Sequence, residues 1–85
     1  MAWRSSMSIV IGPGATQRWT FSWGGADRGA QYFMAHPVFV GETLVLSNQT
    51  KASVAAVGGG IFYAATVNNP GLARAVFVWE GGGVI

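Results

Sequence analysis

Gln17-Arg18-Trp19-Thr20-Phe21-Ser22-Trp23 decides the fold class. Trp19, Phe21 and Trp23 recur at every second position, with Arg18, Thr20 and Ser22 between them. Side chains of an extended chain alternate between two faces, so this stretch reads as a strand with one aromatic face and one polar face. Residue usage points the same way: ten valines, four isoleucines and five threonines stand against three leucines. Branching at Cβ restricts side-chain torsions in a helix and packs well on a pleated sheet. No stretch carries a sustained apolar stripe at helical spacing.

Outward from this strand the chain alternates short apolar runs with turn signals. Ser8–Ile11 is a short strand closed by Gly12-Pro13-Gly14, and Gly24–Gly29 is a loop. Tyr32–Val40 resumes strand character, but Pro37 lacks an N–H and so implies a sheet edge or a bulge. Thr43–Asn48 follows as a strand. Ala52–Val57 and Ile61–Val67 then flank Gly58-Gly59-Gly60 as a hairpin. Asn69-Pro70-Gly71 predicts a type II turn, with proline presetting φ and glycine accepting the positive φ after it. Arg74–Glu80 is the last strand, leading to Gly81-Gly82-Gly83 and the tail Val84-Ile85. The expected architecture is all-β: one domain over residues 1–85, a small antiparallel β-sandwich of six to seven short strands, immunoglobulin-like or barrel-like.

Tyr63-x-x-Thr66-Val67-x-Asn69, ahead of a Pro-Gly turn, resembles a strand common in immunoglobulin-like bacterial modules. The alanine- and glycine-rich, lysine-poor composition also fits a bacterial, GC-rich source. The resemblance is confined to that strand and lacks the tryptophan–cysteine pairing of true immunoglobulin domains, so it implies a fold type and no function.

Composition excludes much chemistry. Charged residues are 9% of the 85, against about 25% in an ordinary soluble domain. The pI of about 9.7 reflects scarce carboxylates rather than a basic patch. Arg4, Arg18, Arg28, Lys51 and Arg74 are scattered singly, whereas phosphate-backbone binding takes clustered cations. Nucleic acid is therefore not an expected partner. Cysteine is absent, which removes disulfides, thiolate ligands and cysteine nucleophiles. The charge-free run between Lys51 and Arg74 is cut by the triple glycine and by Asn68-Asn69-Pro70-Gly71, so it reads as two strands and not as a membrane span. Met1–Val10 lacks the continuous apolar core of a secretion signal. The compartment stays open between cytoplasm and export by a route without a cleaved signal.

One histidine, His36, one aspartate, Asp27, and two glutamates, Glu42 and Glu80, are too few and too dispersed to suggest a metal site, a triad or a carboxylate pair. The glycine clusters lack the Lys-Ser/Thr of a phosphate loop. Neither a cofactor nor enzymatic activity is expected. Asn48-Gln49-Thr50 matches a glycosylation sequon and reads as a polar turn.

Two surfaces remain as candidates. The loop from Trp23 to Gln31 combines an aromatic platform, Trp23, with planar polar groups on Asp27, Arg28 and Gln31. That combination suits a carbohydrate, with a flat ring on the apolar sugar face and a few placed hydrogen bonds. Phe21-Ser22-Trp23-Gly24-Gly25 is echoed by Phe77-Val78-Trp79-Glu80-Gly81-Gly82, which would bring Trp79 to the same end as a fifth ligand-binding residue. The competing reading makes these tryptophans core and Asp27–Arg28 a loop staple. The second surface comes from strands apolar on both faces: Val76 and Val78 back Ala75, Phe77 and Trp79, and Phe62 backs Ile61 and Tyr63. A two-layer domain covers one face of each sheet, so Phe62, Val76 and Val78 are expected at an interface between copies. The competing reading is a monomer whose chain ends fold over that face. The expected function is thus a non-enzymatic, self-assembling binding module, carbohydrate first among its ligands. A purely structural or adhesive homo-oligomer subunit is the alternative. A membrane-active protein is third and disfavoured, because no basic amphipathic helix is readable.

Overall fold

The computed structural model describes residues 2–54 and 59–83. Among these there is no helix. The strands are β1 (Ala2–Arg4), β2 (Ile9–Ile11), β3 (Thr16–Phe21), β4 (Gln31–Pro37), β5 (Val45–Val54), β6 (Gly60–Asn68) and β7 (Ala75–Gly83). They form two antiparallel sheets and together a small β-sandwich. In one sheet β7 is central, with β4 along one edge and β1 and β2 end to end along the other. The second sheet has the order β3-β6-β5. Alternation builds the core between them: Phe33 and Ala35, Tyr63, Ala65 and Val67, Ala75, Phe77 and Trp79, and Ile11 all point inward and are buried.

Four details differ from the sequence reading. Ala2–Arg4 forms a strand that its three residues are too few to announce by periodicity. Thr43–Asn48 and Ala52–Val57 are not separate strands; β5 runs through, with a register shift between Ser47 and Thr50 where Asn48 takes φ 49°. The sequon triplet therefore lies on a bulge rather than in a turn. The left-handed glycine of a Pro-Gly turn is Gly14 (φ 71°), where the Ala15 N–H donates to the Gly12 carbonyl at 3.1 Å. Gly71 does not take positive φ, because the buried Asn69 side chain organises that segment. Its Oδ1 accepts from the Gly71 N–H at 3.0 Å, and its Nδ2 donates to the carbonyls of Ile11, Gly12 and Ala73. Finally, β7 continues through Gly83, since β1 and β4 pair with its glycines from both sides. Positions 55–58, which end the expected hairpin strand and begin its glycine loop, and the tail Val84-Ile85 lie outside the described residues.

Pro37 closes an edge strand, as its missing N–H requires. The segment from Asn69 to Arg74 carries the chain from one sheet to the other, so consecutive strands β6 and β7 have outer faces on opposite sides of the sandwich.

Candidate functional site

The unpaired edges of β3 and of β1–β2 lie on the same side of the sandwich, with a groove of about 490 Å³ between them. Trp19 and Phe21 reach it from the inner face of β3, Trp23 from just beyond that strand, and Trp3 and Ile9 from the opposite sheet. The aromatic rings brace one another: Trp3 stands 5.9 Å from Phe21 and 6.2 Å from Trp23, and Phe21 stands 5.0 Å from Trp79. Gln17 spans the two edges, donating to the Val10 carbonyl at 3.2 Å and accepting from the Trp19 indole at 3.0 Å. The indole nitrogens of Trp3 and Trp79 are closed off from solvent without a hydrogen-bond partner, so these two rings offer the groove carbon and no donor, and its polar lining comes from Ser5, Thr20 and Ser22. Among the described residues no charged side chain lines it.

Trp79 is at the same end as Trp23, as the Phe-x-Trp echo suggested, but it is a core residue with 2% of its surface exposed. It sits on the inner face of the central strand, with neighbours on both edges, and can only floor the groove beneath Trp19 and Phe21. Of the five residues expected at a ligand site, Trp79 is thus the one that lines the groove from its floor.

The loop after Trp23 is stapled from within. Asp27 Oδ1 lies 2.7 Å from Lys51 Nζ and accepts from the Gly29 N–H at 2.8 Å. The Lys51 hydrogen bond, and after it the Gly29 N–H, hold the Asp27 carboxyl below its ordinary pKa; the same contact raises Lys51 above its own. Tyr63 rises from the core and donates its hydroxyl to the Gly29 carbonyl at 2.8 Å while accepting from the Arg28 N–H at 3.1 Å. The Gln31 amide donates to the Arg28 carbonyl at 2.7 Å, and the Arg28 guanidinium lies 5.5 Å from the Trp23 ring centre. The residues expected to act together are thus divided. Trp23 faces the groove with Arg28 packed on it, while Asp27 and Gln31 turn toward Lys51, Gln31 lining a smaller hollow of about 170 Å³ with Lys51 and Tyr63.

The chain matches no protein-family model, no curated protein and no solved structure. Among the described residues no cluster of three or more His, Asp or Glu could hold a metal ion.

The outer face of the β7 sheet is the other candidate. Val76 and Val78 lie on it, half-buried, with Val10 beside Val76 and His36 beside Val78 across the ladders. Tyr32, Met34 and Val10 are each more than half exposed on the same face, at 53%, 51% and 53%. Glu80 sits at its centre, 2.7 Å from the Arg4 guanidinium and 3.7 Å from His36 Nδ1. Phe62 does not join this surface. It belongs to β6 and lies on the outer face of the other sheet, beside Ala52, so the three expected interface residues divide between two sides. On that second outer face Arg18 donates to the Asn48 carbonyl (2.9 Å), Thr66 Oγ1 (2.7 Å) and Thr50 Oγ1 (3.0 Å), crossing all three strands, while Val45 and Val54 on the same face are 48% and 42% exposed.

Sequence reasoning missed Trp3, Lys51 and Tyr63. A signal existed only for Tyr63: an inward-facing tyrosine needs a partner for its hydroxyl, and the nearest loop supplies one.

Proposed function

We propose that this chain is a non-enzymatic β-sandwich module that assembles with itself through the outer face of its β7 sheet. The observation that carries this reading is the contrast between the two outer faces. One displays Val10, Tyr32, Met34, Val76 and Val78 around the Arg4–Glu80 pair, whereas on the other Phe62, Val45 and Val54 are accompanied by threonines that Arg18 ties together across all three strands. Exposed apolar side chains gathered on one sheet face mark interaction sites on small proteins. The Arg4–Glu80 pair at its centre suits a two-fold contact, in which each arginine can also reach the partner's carboxylate. Light scattering behind a sizing column tests this at two protein concentrations. A discrete multimer that Val76→Lys or Val78→Lys reduces supports the reading, and a wild-type monomer at both concentrations overturns it.

A second reading, carbohydrate binding, is favoured by Trp23, whose ring forms a wall of the groove with the Arg28 guanidinium packed on it. Aromatic surface plus a few polar groups is the usual make-up of a sugar subsite. Glycan binding should be lost in Trp23→Ala with the fold intact. Undiminished binding removes the loop from consideration, and a chain that binds no glycan yet assembles is a purely structural subunit.

A further inference from the structure

An edge strand offers a row of unpaired backbone N–H and C=O groups, and folded proteins blunt such edges with prolines, bulges, charges or very short strands. This sandwich has four edges, and three are blunted. β4 ends in Pro37 and is bridged by the Gln49 amide, which donates to the Phe33 carbonyl at 3.3 Å. β5 has its register shift between Ser47 and Thr50, where Asn48 takes φ 49°. β1 and β2 are three residues each. β3 has none of these devices. Its six residues contain no proline, glycine or bulge, and among the described residues its ladder runs to β6 alone. Its one charge, Arg18, is folded over the outer face of its own sheet and does not guard the edge.

We propose that β3 pairs antiparallel with β3 of a second copy about a two-fold axis, joining the two β3-β6-β5 sheets into one. The occupant follows from the strand's own pattern. Residues opposite each other in an antiparallel pair point to the same face, so the axis passes through a residue and not between two. An axis through Trp19 sets Arg18 opposite Thr20 of the partner subunit. An axis through Thr20 sets Arg18 opposite Ser22 of the partner subunit. In neither register does arginine face arginine, and in both the inward aromatic residues meet inward residues of the other copy. The grooves of the two copies then face each other, and a lining without charge has nothing to oppose in its duplicate.

This inference rests on the self-assembly reading and adds a second interface to it. Two different two-fold contacts on one subunit do not close at a dimer; they build a dihedral assembly or an open chain. Light scattering on four proteins separates the possibilities: wild type, Val76→Lys, Thr20→Lys and the double variant. Thr20 points outward, so lysine there costs no core packing. The introduced ammonium opposes Arg18 of the partner subunit in the first register and its own duplicate in the second. Wild type should exceed a dimer, each single variant should stop at the dimer, and the double variant should be monomeric. If Thr20→Lys keeps the wild-type mass, edge pairing is overturned and the face contact stands. If Val76→Lys keeps the wild-type mass while Thr20→Lys is monomeric, the face contact fails and edge pairing stands. A monomeric wild type overturns both. Hydrogen exchange gives an independent readout on the Val76→Lys protein: amides of Thr16–Phe21 should exchange faster on dilution, and no change with concentration overturns the pairing.

Discussion

Gly81 lies beneath the indole of Trp3, its cross-strand partner: a Cβ on Gly81 would stand 2.7 Å from Trp3 Cζ2 and 2.9 Å from Cε2. Phe33 is opposite the same glycine on the other side. The missing side chain lets β1 and β4 both close on β7 while Trp3 enters the groove, so the aromatic cluster depends on a residue that contributes no contact of its own.

Gly81→Ala should therefore destabilise the sandwich. The methyl group meets ring and backbone in a packed layer, and overpacking of this kind costs about 1–3 kcal/mol. Urea unfolding followed by tryptophan emission measures the loss, and an unchanged midpoint would show that both the Trp3 ring and the Tyr32 backbone carbonyl can give way freely.

Asn69 is buried and its amide satisfies three carbonyls and one N–H across the β2–β3 and β6–β7 connections. Asn69→Ala strands those groups, at a cost on the order of 1–3 kcal/mol or more. Asn69→Asp should be worse, because a carboxylate oxygen replaces the donor that three carbonyls share. Thermal melts of the two variants check the order.

The Asp27–Lys51 pair has a defined pH window. Asp27 has its pKa lowered, so its contribution is present above 3.8 and is lost as pH falls through the lowered value. Lys51 has its pKa raised, so its contribution is present below 10.5 and is lost as pH rises through the raised value. Lys51→Met removes the principal cause of the Asp27 shift. Carboxyl NMR titration should then show the Asp27 pKa moving up toward 3.8, with little change in stability because the pair is exposed.

Arg18→Ala removes the three hydrogen bonds that cross from β3 to β6 and β5 on the outer face. At an exposed site the expected loss is about 1 kcal/mol. Arg18→Lys should recover only part of it, since an ammonium on a flexible stem does not reproduce the guanidinium fork. Denaturant midpoints of the three proteins measure both effects.

Trp19, Phe21 and the apolar-on-both-faces β7 are legible directly, because alternation is local and survives any arrangement of the sheets. The Asn69-Pro70-Gly71 turn misleads for the opposite reason. Proline and glycine favour a type II turn locally, but a buried asparagine side chain with four partners outweighs that preference. The split of Phe62 from Val76 and Val78 depends on which sheet each strand joins, and strand patterning carries no record of that.

By itself the sequence determined that this protein is all-β, that Trp19 and Phe21 share one face of a strand, and that ionisable side chains are few. These follow from side-chain period, branching at Cβ and the scarcity of ionisable groups. Tertiary structure alone decided that Trp3 joins Trp19, Phe21 and Trp23 in one groove, that Asp27 is held by Lys51, and that β3 is the unguarded edge. Each joins residues far apart in the chain, and only the pairing of β7 with three strands and of β6 with two brings them within reach.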